Sequence, residues 1–295
     1  MRPVLALLAL SIPAFSASPF AGRWDCTQPA PVGGRPATWL GIAEKTGSLQ
    51  VFFQPTGGHA YHVADVKADG NKLALGLTGM SWALKAANGK LTGTQISGKD
   101  SLPISCVQAP TLKRPEPKSW SAPEPLFNGK DLTGWQPLGD PAKSRWIVKD
   151  GYLLNETKGD NLASTRKFQD FKLHFEVNYP DHANSGFYLR GRYEVQLESE
   201  PLADNPPERR IGAIYGRITP KGDLPGKIGV WETFDITLVG RIVTIARNGV
   251  TTIDHQEIEG ITGGALDSNE AEPGPFYIQG DHTGGLKFRN ITIQH

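Results

Sequence analysis

The sequence predicts an all-β protein built from two strand-rich units. Three observations carry that expectation. The chain holds 34 glycines and 23 prolines in 295 residues, about a fifth of the total against roughly 12% in average proteins. No long stretch combines Ala, Leu, Glu and Lys at helical spacing, which argues against a bundle, a coiled coil or a doubly wound α/β enzyme. Short alternations of apolar and polar residues recur between turn signals along most of the chain. Hydrophobic content of 38%, with 7 tryptophans, suffices for packed cores and excludes wholesale disorder. The length fits two domains at about 150 residues each.

The first segment reads as an address. Arg2, an apolar run from Val4 to Phe15 and small residues at Ser16, Ala17 and Ser18 follow the order of a secretory signal peptide. The run is too short to span a bilayer. Residues 1–18 are therefore expected to be removed on export, with cleavage between Ser16 and Phe20. That leaves no transmembrane segment and places the protein in the periplasm or outside the cell.

Residues 19–108 read as a small all-β domain. Phe20-Ala-Gly-Arg-Trp24 opens it, and candidate strands follow at 38–44, 49–54, 61–67, 72–77, 81–86, 90–97 and 102–108. Leu73, Leu75 and Leu77 share one face, and the turn signals between strands include Lys45-Thr-Gly47, Ala68-Asp-Gly-Asn71 and Ala87-Asn-Gly-Lys90. About eight strands at this spacing suggest a small barrel or a sandwich. Gly22-Arg-Trp24 resembles the Gly-x-Trp opening of lipocalin-like barrels. Cys26 falls on the first strand and Cys106 on the last. In an exported chain they could bridge the two ends, stabilising by roughly 4 kcal/mol; the alternative is two buried thiols. With no nearby His pair they do not make a zinc site.

Residues 109–125 contain five prolines. Proline fixes φ and removes a donor, so this run is expected to be a semi-rigid linker. Beyond it, residues 126–295 are again strand-rich. Leu173, Phe175 and Val177 alternate with Lys172, His174 and Glu176, and Tyr193, Val195 and Leu197 alternate with Glu194, Gln196 and Glu198. Phe234, Ile236 and Leu238 repeat the pattern. Asn248-Gly249 between two short apolar runs is a type I′ hairpin signal. The pattern predicts a two-sheet antiparallel sandwich.

Charge is balanced, with 31 Lys+Arg against 30 Asp+Glu. A nucleic-acid binder usually carries a basic excess; this composition excludes that class and favours a neutral or weakly charged partner.

The second unit resembles the 3-keto-disaccharide hydrolase family, formerly a domain of unknown function. The likeness rests on an ordered set of fragments: Leu126-Phe-Asn-Gly-Lys-Asp-Leu-Thr-Gly-Trp135, Trp146 before Asp150-Gly151, Asp170-Phe171, Ala183-Asn-Ser-Gly186, Leu189-Arg-Gly191, Tyr193-Glu-Val-Gln196, Gly212-Ala-Ile-Tyr-Gly216, Gly274-Pro275, Ile278-Gln-Gly-Asp-His282 and Phe288-Arg-Asn-Ile291. The resemblance implies a concanavalin- or laminarin-G-like jelly roll over residues 126–295; the N-terminal unit lies outside it. One departure is Trp231-Glu232, where the family pattern leads one to expect Trp-Asn, so a role for position 232 is in doubt.

The resemblance further implies chemistry on a glycoside already oxidised at C3. A ketone there acidifies the C2 proton, a base removes it, the C1 substituent departs, and water adds back. Such a route needs a general base, a donor or cation for the enolate oxygen and an acid for the leaving oxygen. It needs no redox cofactor, because a separate dehydrogenase would supply the ketone. A single divalent metal held by Glu194 and His282 is compatible with it.

Candidate residues follow from that chemistry. Glu194 and Gln196 share the strand face opposite Tyr193, Val195 and Leu197, and should point to a groove or to solvent. Glu194 is the first choice for base or metal ligand, Gln196 a substrate contact. His282 is a candidate acid, base or ligand, because imidazole exchanges protons near neutrality, and Asp281 could orient it. Arg190 could hold the ketone or enolate oxygen through its fork of donors. Asn184, Tyr215 and Gln279 are candidate sugar contacts, and Trp231 could stack on a pyranose ring. Glu194 and Glu198 also invite comparison with glycosidases that carry paired carboxylates on one strand. Four residues of extended strand separate them by roughly 13 Å, beyond the roughly 5–9.5 Å that ordinary glycoside hydrolysis uses. Two further function classes stand beside the leading one: a non-catalytic, lectin-like jelly roll, and an ordinary glycoside hydrolase.

Overall fold

The computed structural model describes residues 18–28 and 35–295; residues 1–17 of the expected leader lie outside the described residues. No helix among the described residues is long and apolar enough to cross a membrane.

The N-terminal unit is one antiparallel sheet of nine strands: β1 (Gly22–Thr27), β2 (Ala37–Lys45), β3 (Ser48–Gln54), β4 (Tyr61–Val63), β5 (Asp65–Asp69), β6 (Lys72–Leu77), β7 (Met80–Ala87), β8 (Lys90–Ser97) and β9 (Asp100–Gln108). Its order is β4-β3-β2-β1-β9-β8-β7-β6-β5. The two end strands are joined through the single residue Ala64, so the ladder returns on itself as an up-and-down barrel would. The expected strand at 61–67 is in fact two, β4 pairing with β3 and β5 with β6. Leu73, Leu75 and Leu77 all point inward, joining Trp24, Phe53 and Trp82 in the core. Cys26 and Cys106 face each other across β1 and β9 and are bonded.

The C-terminal unit is a two-sheet sandwich. Its strands are β10 (Glu124–Pro125), β11 (Trp135–Leu138), β12 (Trp146–Lys149), β13 (Tyr152–Asn155), β14 (Asn161–Phe168), β15 (Phe171–Asn178), β16 (Asn184–Leu189), β17 (Tyr193–Glu198), β18 (Trp231–Val239), β19 (Ile242–Arg247), β20 (Val250–Glu257), β21 (Gly274–Ile278) and β22 (Lys287–Gln294). One sheet runs β12-β13-β22-β15-β18-β19-β20, with β10 added to β22; the other runs β11-β14-β21-β16-β17. The period-2 alternation turns the apolar residues of both sheets inward. There Phe175 of the larger sheet stacks on Phe187 of the smaller at 4.5 Å and on Phe234 at 5.1 Å. Asn248 and Gly249 both take positive φ, 50° and 75°, as the type I′ turn between β19 and β20 requires.

The proline-rich segment is not a free tether. Arg114 reaches Asp170 at 3.6 Å, Lys172 sits 5.3 Å over the Trp120 ring, and the Ser121 amide donates to His295 O at 3.3 Å. The segment lies along the larger sheet, its extended proline backbone leaving acceptors for the C-terminal strand.

The barrel-like unit is bolted to the sandwich. Trp39 of β2 is fully buried among apolar side chains of the sandwich, beneath the Arg217 guanidinium at 4.3 Å. A Cβ at Gly260 would lie 2.4 Å from the Trp39 indole nitrogen, and one at Gly263 would meet the Gly58 carbonyl oxygen, so these glycines admit the neighbouring unit. Gly264 N donates to Thr56 O at 2.8 Å, Ser268 Oγ to Cys26 O at 2.7 Å, and Arg23 pairs with Glu257 at 2.8 Å.

Candidate active site

The inner faces of β16, β17 and β21 bury Phe187, Val195 and Phe276; the next residue of each strand therefore points out of the sandwich. This outward set is Tyr188, Glu194, Gln196, Tyr277 and Gln279, with the Tyr188 and Tyr277 rings stacked at 3.9 Å. The outer face is not solvent. The N-terminal unit and the 258–266 loop cover it, so every residue of β17 is buried. Between them remains a cavity of about 340 Å³, lined by Arg35, Thr56, Gly57 and Gly58 of the N-terminal unit and by Asn184, Tyr188, Glu194, Gln196, Tyr215, Gly263, Gly264, Gln279, Asp281 and His282 of the sandwich. That size is at the small end of the roughly 300–1,000 Å³ range of small-molecule sites.

Glu194 stands in the wall of this cavity, 4% exposed. Burial pushes its carboxyl up to about 8, against the lowering by the Tyr188 hydroxyl and the Arg35 charge; a carboxylate stripped of water is disfavoured. The Tyr188 hydroxyl has one proton and two claimants, Glu194 and the Gly263 carbonyl at 2.6 Å. A Cβ on Gly186 of the neighbouring strand would fall 2.2 Å from Glu194 Oε1, so the glycine leaves the space the carboxyl occupies. The segment Gly212–Gly216 pairs alongside β17, Tyr215 N donating to Glu194 O at 3.0 Å and Gly212 N to Gln196 O at 2.8 Å, which sets Tyr215 beside the acid.

His282 sits at the exposed rim. Its Nδ1 lies 2.7 Å from Asp281 Oδ1, and Asp281 Oδ2 accepts from Arg35 Nη2 at 3.2 Å and from Asn161 at 3.3 Å. Burial alone would raise the Asp281 carboxyl, but its bond to His282 and the neighbouring charges hold it below the usual carboxylate value. Asn184 is anchored at the same rim by Thr283, whose hydroxyl bonds its backbone N and O. Gln279 donates to the Tyr188 hydroxyl at 3.1 Å, while its Oε1 is buried without a partner among the described residues. A buried orphan acceptor aimed at a cavity is a ready contact for a ligand hydroxyl.

Six of the eight sequence candidates thus converge: Asn184, Glu194, Gln196, Tyr215, Gln279 and His282. Two do not. Arg190 is fully buried at the β16–β17 turn, where its guanidinium donates to Tyr193 Oη at 3.0 Å and Gly240 O at 2.8 Å. Its positive φ of 52° at the turn swings it to the core end of the sheet, away from the cavity. Trp231 lies on the larger sheet under the Arg289 guanidinium at 4.1 Å and does not line the cavity; β18 belongs to the other layer. Glu232 is committed to a buried pair with Arg247 at 2.7 Å. Glu198 is likewise occupied, accepting from Ile211 N at 3.0 Å and from Asn205 Nδ2 and Glu200 N at 3.1 Å each, so no Glu194–Glu198 dyad forms in the cavity.

Sequence reasoning missed Arg35, Thr56, Gly57, Gly58, Tyr188, Gly263 and Gly264. Tyr188 carried a signal, since it alternates with core Phe187 on the strand next to Glu194. Arg35 carried none, because nothing local says which loop of one unit reaches the other. For a metal, the cavity offers Glu194, Nε2 of His282 and Oε1 of Gln279; no group of three or more His, Cys, Asp or Glu is placed to hold an ion among the described residues.

No curated protein matches the chain. Among solved structures, a candidate glycosyl hydrolase from Parabacteroides distasonis is 27% identical with a TM-score of 0.50, the match covering 61% of this chain and 92% of that one. A second from the same organism is 22% identical with a TM-score of 0.47, over 59% and 98% of the two chains. The model of the 3-keto-alpha-glucoside-1,2-lyase-like domain matches residues 122–294, which takes in the whole sandwich and every site residue it contributes. Sandwich, cavity and the ordered fragments from Leu126 to Ile291 coincide over more than half of the chain, which makes the protein a member of the 3-keto-alpha-glucoside-1,2-lyase-like family.

Proposed function

We propose that the protein is an exported enzyme that cleaves 3-keto-glycosides, 3-keto-disaccharides among them, by elimination and rehydration. Membership of the family and the cavity support a carbohydrate-directed enzyme. The finer reading rests on one observation: a single buried glutamate, Glu194, held near pKa 8 by burial, without a second carboxylate on its strand facing the same space. A base with a pKa close to working pH suits abstraction of an acidified C–H.

In this mechanism the Glu194 carboxylate takes the C2 proton, and the C2–H electron pair becomes the C2=C3 π bond of an enolate as the ketone π pair moves to O3. The O3 pair then re-forms the C3 ketone, the C2=C3 pair becomes C1=C2, and the C1–O bond breaks with its pair on the leaving oxygen, which takes a proton from His282. Asp281, 2.7 Å away, orients that ring. Water adds across C1=C2, hydroxide to C1 and a proton to C2. Gln196, Gln279, Asn184 and Tyr215 fix the sugar hydroxyls. The leader at residues 1–18 supports export.

The test is incubation of pure protein with a 3-keto-disaccharide in D₂O, with and without added divalent ions. Sugar release with deuterium at C2 is expected; release without it would refute elimination, and no release under either condition would refute the activity. Glu194→Gln should abolish turnover while keeping sugar affinity.

A further inference from the structure

We infer that the N-terminal unit is part of the catalytic site, and that its Arg35 holds the C3 oxygen as negative charge develops there. This rests on the elimination reading and assigns to Arg35 the function that the sequence suggested for Arg190.

The reaction needs a cation or strong donor at O3, and the cavity supplies one. Among the described residues lining it, Arg35 is the one lysine or arginine. Asp281 holds it at 3.2 Å through Nη2, and its guanidinium carbon lies 5.7 Å from the centre of the Tyr277 ring. That grip uses one nitrogen and leaves Nη1 to donate. Nη1 lies over Gly264, where a Cβ would come within 3.0 Å of it, so the glycine admits the guanidinium to the space above Tyr188 and Glu194. A guanidinium offers a planar fork of donors that stays charged at any working pH, and preorganised charge at a developing oxyanion gives the largest catalytic return.

Preorganisation requires that the unit carrying Arg35 stay in place, and contacts at several points hold it. Trp39, four residues on from Arg35, is buried in the sandwich core. Thr56 and Gly58 pack on Gly264 and Gly263. His59 Nε2 lies 2.7 Å from Arg209 Nη2, and a Cβ at Gly216, next to Tyr215, would fall 2.8 Å from the His59 Cβ. The N-terminal unit is thereby a fixed wall of the site rather than a tethered module.

The experiment compares the wild-type chain with Arg35→Gln and Arg35→Lys on a 3-keto-disaccharide, reading C2 deuterium exchange and sugar release separately. Exchange needs the base and the enolate holder but not the leaving-group acid. Arg35→Gln should lower both rates about 10²–10³-fold, the usual loss on removing one oxyanion donor, with KM moved much less. Arg35→Lys, which keeps the charge but not the fork, should fall between. Its pH profile should stay near that of the wild type, whereas Arg35→Gln should shift the rise in rate to higher pH. If Arg35 only props Asp281 and His282, exchange survives while release falls, and the assignment is overturned. Exchange by Arg35→Gln within threefold of wild type overturns it too. If the wild-type chain itself neither exchanges nor releases, the elimination reading fails and takes this role with it. Should Arg35→Gln lose its cooperative melt, the Lys variant carries the test, and undiminished exchange there refutes the fork.

Discussion

Gly186→Ala is the sharpest way to move the proposed base without touching it. Gly186 lies within β16 with a φ outside the left-handed region, so alanine fits the strand. Its new Cβ would stand 2.2 Å from Glu194 Oε1, 2.8 Å from Cγ and 2.9 Å from Cδ. Ordinary contact begins near 3.4 Å, so the carboxyl oxygen must retreat by about 1.2 Å. A misplacement of about 1 Å in a reacting group can lower a rate 10²-fold, and that is the expected loss in kcat. Stability should change little, because the clash falls on the end of one side chain. Replacing glycine also stabilises by roughly 0.4–1 kcal/mol through the unfolded chain. The assay is kcat and C2 deuterium incorporation on a 3-keto-disaccharide, with a thermal melt alongside. Activity within threefold of wild type, at unchanged Tm, would refute Glu194 as the base.

The remaining predictions concern proton linkage and the join between the units. Glu194 works as a base when ionised, so the rate of C2 deuterium exchange, which needs the base and not the leaving-group acid, should rise with pH and level off above about 8. The sign for stability is opposite: the folded chain keeps the Glu194 proton that the unfolded chain releases near pH 4–5, so folding stability falls as pH rises from there to about 8. Glu194→Gln removes that penalty and should raise Tm at pH 7.5, by an amount corresponding to at most about 4 kcal/mol, while turnover is lost; a lowered Tm across pH 5–8 would contradict the linkage. Trp39→Ala opens a cavity in the sandwich core from the N-terminal side and should cost about 3–5 kcal/mol. It should also speed proteolytic release of the N-terminal unit; unchanged melting and proteolysis would show that the units are not held through this residue.

Much of the site was legible because strands repeat every two residues. Once Val195 enters a core, Glu194 and Gln196 must leave it on the opposite face; that Gln279 joins them follows from the pairing of β16 with both β17 and β21. The same logic failed for Arg190 and Trp231. Arg190 lies on a turn, where alternation stops and a positive φ redirects the chain. Trp231 alternates correctly, but on a strand of the other layer. Of the two expectations for the face of Glu194, a groove or solvent, the structure gives a covered concavity, since a strand pattern records which face is polar and not what covers it.

The sequence by itself determined the all-β class, the strand boundaries within a residue or two in most places, the proline-rich segment, the family and the placing of Glu194 and Gln196 on the strand face away from the core. These follow from local rules: backbone periodicity, turn chemistry and motif order. Only the tertiary structure decided that the proline segment lies along a sheet, that the N-terminal unit closes the cavity, and that Arg35 rather than Arg190 faces Glu194. Those outcomes depend on contacts between residues far apart in the chain, such as Arg35 with Asp281 and Gly58 with Gly263. Burial by a second unit removes water from a carboxyl, and with it sets the acid's proton affinity; no local pattern in the chain encodes that.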